Sequence, residues 1–210
     1  MSSLHGLLDI RCVSCHSWGE QLCAGCRQRS VGDPIVSTIA GVPLIALGAY
    51  RGPLRDIIRA TKFGRSHALI THMTSALGEI GKRFPGATAV PIPASREGFA
   101  ARGFHLAARV ARATGLRVAT ALVLDDAGSQ RRRRRTGRMT ARALHIDSRR
   151  IAPLARVVLV DDVVTTGATI RSAISACRDA GLSVVGVVAL AETPISATRP
   201  ANLPKSISRV

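Results

Sequence analysis

Asp161 and Asp162 stand side by side at the end of an apolar run, and Thr165, Thr166, Gly167, Ala168 and Thr169 follow within a few residues. Adjacent carboxylates can accept hydrogen bonds from sugar hydroxyls or hold a magnesium ion through water. Backbone N–H groups from Thr165 to Thr169 can grip a phosphate at a helix N-terminus, the threonine hydroxyls add donors, and Gly167 permits close approach. The segment Val157 to Thr169 thus gathers the groups that recognise a phosphorylated sugar. Taken alone, the same residues also fit a plainer assignment in which the acids close a strand and a threonine caps a helix.

A second constellation is Cys12, Cys15, Cys23 and Cys26, spaced C-x2-C-x7-C-x2-C. Each pair can form a knuckle that directs two thiolates at one ion, and four thiolates complete the tetrahedral shell of structural zinc. Two disulfides are the competing pairing. A reducing compartment favours zinc. A shell closed by four sulfurs leaves no open position, so the expected role is to fold a small segment, not to catalyse. His16 between the pairs is expected to be a solvated loop residue. Cys177, in an apolar helical pattern, is expected to be buried packing.

These residues need a scaffold. Arg27 to Pro34 reads as a polar linker, and Ile35 to Tyr50 as an apolar stretch holding short strands. Pro53 opens a helix with Leu54, Ile57 and Ile58 on one face, ending near Lys62, and a further helix is expected over His67 to Lys82. Ala87 to Pro93 is a short buried strand followed by a helix over Ser95 to Thr114 that stops at Gly115. Strands are expected at Arg117 to Leu124, Arg156 to Asp162 and Leu182 to Ala191, with a helix over Ala168 to Ala180. Nearly continuous apolar strands alternating with helices argue a parallel α/β sheet covered on both faces.

The chain has 210 residues, 46% of them hydrophobic and 20% charged, which excludes disorder of the whole. Lysine and arginine total 30 against 13 acids, a net charge of +17, and all but Lys62, Lys82 and Lys205 of these cations are arginine. Such a field favours polyanions: nucleic acid, phosphorylated metabolites or anionic membrane surfaces. Aromatic content of 3% weakens the case for a base-stacking platform. No stretch is long and apolar enough to span a bilayer, and Met1 to Ile10 lacks the signature of a leader, so a cytoplasmic protein is expected. Arg131 to Arg135 is a run of five arginines, open to three readings: a lid, a nucleic-acid contact or a solvated loop.

The segment Val157 to Thr169 resembles the 5-phosphoribosyl-1-pyrophosphate signature of type I phosphoribosyltransferases. The resemblance implies that Asp161 and Asp162 contact ribose hydroxyls and that Thr165, Thr166, Gly167, Ala168 and Thr169 cradle the 5-phosphate. Tyr50 to Phe63, Val90-Pro91-Ile92-Pro93-Ala94-Ser95-Arg96 and Arg102-Gly103-Phe104, together with the cysteine knuckles, are similar in order and spacing to the ComF family over residues 12 to 192. That family is implicated in the uptake of transforming DNA. Its pattern implies a zinc-ribbon-like module with its linker over 1–34 and a phosphoribosyltransferase-type domain over 35–210.

It also implies Arg96 and Arg102 as groups for a pyrophosphate leaving group, with Lys62 as a further site residue and magnesium as the companion ion. Charge-assisted arginine pairs suit phosphate oxygens. Where the family reads R-G-F-N-Q, this chain has His105 and Leu106 after Phe104. Gln130 and Arg138 fit the family's Q-x7-R, but Ala141 stands where an asparagine is usual. The expected function is binding of 5-phosphoribosyl-1-pyrophosphate or a related ribose phosphate with magnesium, with ribosyl transfer to be tested. The rival is a non-catalytic single-stranded DNA-binding protein of competence that retains the phosphate loop. An ordinary salvage or purine-synthesis transferase is less expected, because no cysteine follows Met1 and no base-recognition segment stands out.

Overall fold

A strand buried on both faces must be apolar at every position, and Val157, Val158, Leu159 and Val160 are all fully buried. They lie in one strand of a computed structural model that describes residues 10–64, 68–71, 73–94, 105–124 and 144–193. In chain order the elements are α1 (Ala24–Ser30), β1 (Ile35–Ile39), β2 (Val42–Ala46), α2 (Gly52–Gly64), α3 (Ala68–Thr71), α4 (Thr74–Gly81) and β3 (Thr88–Pro91). There follow α5 (Leu106–Ala113), β4 (Arg117–Val118), β5 (Leu122–Leu124), β6 (Leu144–Ile146), a 3₁₀ turn (Ser148–Arg150), β7 (Arg156–Val164), α6 (Ala168–Asp179) and β8 (Ser183–Glu192).

The main sheet has six strands in the order β1-β2-β8-β7-β3-β4. All neighbours are parallel except β1 and β2, which form an antiparallel hairpin. Ala40 and Gly41 turn that hairpin at φ of 50° and 77°, the left-handed geometry that two-residue hairpin turns require. Side chains alternate across the sheet with period two. Val158, Val160, Val188 and Leu190 face a cluster with Leu54, Ile57 and Ile58 of α2, Leu77 and Ile80 of α4, and Leu106 and Val110 of α5. Val157, Leu159, Val187 and Ala189 face Ile170, Ala173, Ile174 and Cys177 of α6. The expected parallel α/β sheet flanked by helices is therefore present. Cys177 is packing, and burial pushes its thiol up to about 11.

Several elements differ from the expectation. Arg27 to Ser30 belong to α1 and are not linker, because Cys26 and Ser30, four residues apart, give a polar-looking segment a buried helical face. The helix expected over His67 to Lys82 is two pieces, α3 and α4. The strand expected over Arg117 to Leu124 divides between two sheets: the Ala119 N–H still bonds to Ala89, then the chain leaves to pair β5 with β6. Gly186 is glycine for a packing reason, since a Cβ there would collide with the Phe84 ring.

The cysteine segment is fused to this core. Cys12, Leu22 and Cys26 share one buried cluster with Leu54, Ile57 and Ile58. The Ser14 hydroxyl donates to Oδ2 of Asp56 on α2 at 2.9 Å.

Candidate functional site

The sheet order fixes where a ligand can sit. From β3 the chain passes through α5 to β4 on one side, and from β7 it passes through α6 to β8 on the other. Successive crossovers that diverge leave a crevice between β3 and β7 at the carboxyl ends of the strands. β3 ends opposite Val160, with Pro91 as its last paired residue, whereas β7 continues to Val164. Asp161 and Asp162 thus lie within the strand, three and two residues before its end, along the edge that β3 has vacated.

The two acids are wired together. The Asp162 N–H donates to Oδ1 of Asp161 at 2.8 Å, and Lys62 Nζ donates to Oδ1 of Asp162 at 2.8 Å from the last turn of α2. Burial first, and then the charge of Asp162, push the Asp161 carboxyl up to about 7, against the opposing pull of the Asp162 N–H and Lys62. Of the residues singled out from sequence, Lys62 and the acid pair therefore meet.

Beyond Val164, residues Thr165 to Gly167 form the turn and α6 begins at Ala168. Gly167 has φ of 72°, and a Cβ there would also collide with Ile39, so glycine is required twice over. Thr166 Oγ1 accepts a long bond from the Ala168 N–H at 3.4 Å, while Arg171 Nη2 donates to the Thr166 carbonyl at 2.7 Å. Asp161, Val163, Val164 and Thr165 to Ile170 line a small, open concavity. Among the described residues the N–H groups of Thr166 and Gly167 meet no acceptor, which leaves them available to an anion.

Arg96, Arg102, Arg131 to Arg135, Gln130, Arg138 and Ala141 lie outside the described residues. His105 is described. It occupies the N-cap position of α5, and its Nε2 accepts from the Ala94 N–H at 2.7 Å just beyond β3. Leu106 is 2% exposed and packs in the core. The ring nitrogen thus joins the chain just beyond β3 to the start of α5. Sequence reasoning counted His105 only as a missing amide and did not foresee this bond. It also missed Ser14 with Asp56, Arg171 with Thr166, and Glu192, whose carboxylate accepts from the Ser37 hydroxyl at 2.9 and 3.0 Å. Each contact except Arg171 with Thr166 joins segments distant in the chain or separated by a loop, so local patterning carries no signal for it. Arg171 had one: a cation in the first turn of a helix that has no acidic residue there.

The four sulfurs of Cys12, Cys15, Cys23 and Cys26 lie within 4.8 Å of one another, and Cys15 Sγ is 3.6 Å from Cys23 Sγ. Tetrahedral zinc at about 2.3 Å from each sulfur needs sulfurs roughly 3.8 Å apart, so the residues fit the ion. The Ser17 hydroxyl beside Cys15 lowers that thiol to about 6, and burial, with the neighbouring sulfurs, pushes Cys26 up to about 12. Arg29 Nη2 lies 3.3 Å from Cys26 Sγ, a donor suited to a thiolate. His16 is exposed with φ of 61°, the solvated turn residue expected of it.

An open, mostly parallel α/β sheet with an acid pair and an amide-bearing turn at its switch point places the chain among the doubly wound α/β proteins, which take their ligands there. Residues 98–210 match the family described as the phosphoribosyl transferase domain, and the chain belongs to that family. Among solved structures it is similar to adenine phosphoribosyltransferase from Thermoanaerobacter pseudethanolicus, at 16% identity and a TM-score of 0.45 over 81% of this chain and 88% of that one. The enzyme from Rhodothermus marinus gives 17% identity and 0.44 over 81% and 88%. Purine phosphoribosyltransferase from Pyrococcus horikoshii gives 20% and 0.41 over 62% and 78%. No curated protein matches the chain.

Proposed function

We propose that the protein binds 5-phosphoribosyl-1-pyrophosphate, or a related ribose phosphate, with magnesium at the β7–α6 turn, and that it transfers the ribosyl group. The observation that carries this reading is the acid pair and the unpaired amides of Thr166 and Gly167 meeting at the carboxyl end of β7, beside the switch point. In this reading Asp161 and Asp162 accept from the ribose 2- and 3-hydroxyls. Thr165, Thr166, Gly167, Ala168 and Thr169 surround the 5-phosphate. Lys62, at 2.8 Å from Oδ1 of Asp162, holds that carboxylate in place until the sugar arrives. Arg96 and Arg102 are the proposed partners of the departing pyrophosphate. Magnesium, held through water by the acid pair, would supply neutralisation of the pyrophosphate charge. The ComF-like arrangement, with zinc on the four cysteines as a structural element, is the finer assignment we propose.

Calorimetry with 5-phosphoribosyl-1-pyrophosphate and magnesium tests the reading. We expect binding by the wild type and a loss of about tenfold or more in Asp161→Asn and Asp162→Asn, each of which removes a charged acceptor. Wild type that does not bind would overturn it. The net charge of +17 supports a second reading, single-stranded DNA binding. Replacing Arg131 to Arg135 by alanine should then flatten the salt dependence of oligonucleotide affinity, and an unchanged slope removes that run from the contact.

A further inference from the structure

We propose that Arg171 is a positioning residue for the phosphate turn: its guanidinium fixes the Thr166–Gly167 peptide so that the Gly167 N–H is presented to the 5-phosphate. This rests on the sugar-phosphate reading above and adds a residue outside the acid pair and the threonine-glycine turn. Arg171 Nη2 donates to the Thr166 carbonyl at 2.7 Å. In a trans peptide the carbonyl and the following N–H point in opposite directions. Tethering the Thr166 oxygen therefore turns the Gly167 N–H away from the guanidinium, and that N–H meets no acceptor among the described residues. The guanidinium also packs on the turn, since a Cβ built on Gly167 would lie 3.2 Å from Arg171 Nη1.

The placement of the charge is informative. A cation near a helix N-terminus opposes the helix dipole, and α6 has no acidic residue in its first turn to offset it. An arginine there is disfavoured unless it holds a carbonyl or balances an anion. Arg171 holds a carbonyl now, and an incoming phosphate would make its charge favourable. The left-handed Gly167 has little intrinsic preference for one peptide orientation, so a tether one turn into the helix supplies what the glycine lacks.

The test compares wild type, Arg171→Ala and Arg171→Lys by calorimetry with two probes, ribose 5-phosphate and magnesium pyrophosphate. The Gly167 amide is followed by NMR in the same samples. Arg171→Ala should bind ribose 5-phosphate about tenfold more weakly and magnesium pyrophosphate within about twofold of wild type. Its Gly167 amide signal should lose the downfield shift that ribose 5-phosphate induces in the wild type. Arg171→Lys, with one donor group in place of a fork, should recover part of both. Equal ribose 5-phosphate affinity in Arg171→Ala and wild type overturns the proposal, and so does an equal loss for both probes, which would mean bulk charge only. If Arg171→Ala does not fold, an unchanged affinity in Arg171→Lys overturns it. Wild type that binds neither probe refutes the sugar-phosphate reading itself, a result separate from either of these.

Discussion

Lys62 and Asp162 are 100 residues apart in sequence and 2.8 Å apart in space, and the group beside them, Asp161, pairs with no cation of its own among the described residues. That asymmetry sets a pH dependence. A carboxyl raised from 3.8 to about 7 holds its proton more tightly folded than unfolded. It favours the native state most below the ordinary carboxylate range, and that contribution is lost as pH rises through about 7. Urea denaturation between pH 4.5 and 8 should show this decline in the wild type and a flatter profile in Asp161→Asn. Binding of sugar hydroxyls or a cation to the ionised pair should run the other way and strengthen across the same window. Thr61, one residue before Lys62, has a fully buried hydroxyl without a partner among the described residues. Thr61→Val keeps the shape and removes that unpaired group, so it should raise stability by about 1 kcal/mol in the same denaturation assay.

The β7–turn–α6 element was the most legible part of the chain, because its chemistry is contiguous: acids, hydroxyls and glycine fall within thirteen residues and need no tertiary information to be read together. Its strand is longer than the sequence suggested, since Val163 and Val164 continue pairing with Ala191 and Glu192. Elements built from few residues were illegible. The seven residues of α1 carry two arginines in their last turn, and only packing against α2 distinguishes them from linker. The break between β4 and β5 falls at Ala119-Thr120-Ala121, where one threonine among apolar residues is too slight a mark to show a change of sheet. Gly167 tests the element as a unit. Gly167→Ala should cost at least about 1 kcal/mol from the left-handed backbone alone, more through its collision with Ile39, and should abolish ribose 5-phosphate binding in calorimetry.

At the level of the whole molecule, the cysteine segment and the sheet domain share a core. Cys12 and Cys26 are fully buried among α2 side chains, and α2 bonds Ser14 through Asp56 near its start and Asp162 through Lys62 near its end. About six residues of helix, roughly 9 Å, separate those two bonds. Chelation of the zinc we propose there, or Cys12→Ser, should therefore lower the melting temperature of the entire chain and raise amide exchange along α2, instead of melting a detached finger. Exchange confined to residues 10–30 would contradict this. The outermost strand β1 has a different consequence. Ile35, Val36, Thr38 and Ile39 are β-branched, no charge interrupts them, and β1 pairs on one side with β2 while, among the described residues, no strand pairs with its other edge. Such an edge is a template for adding a foreign strand. Pro34, which lacks an N–H, and the tight turn at Ala40 and Gly41 limit it to five residues, so concentrated protein should self-associate through β1. Thr38, the exposed position on this strand, is where a single lysine would make the protein easier to keep in solution.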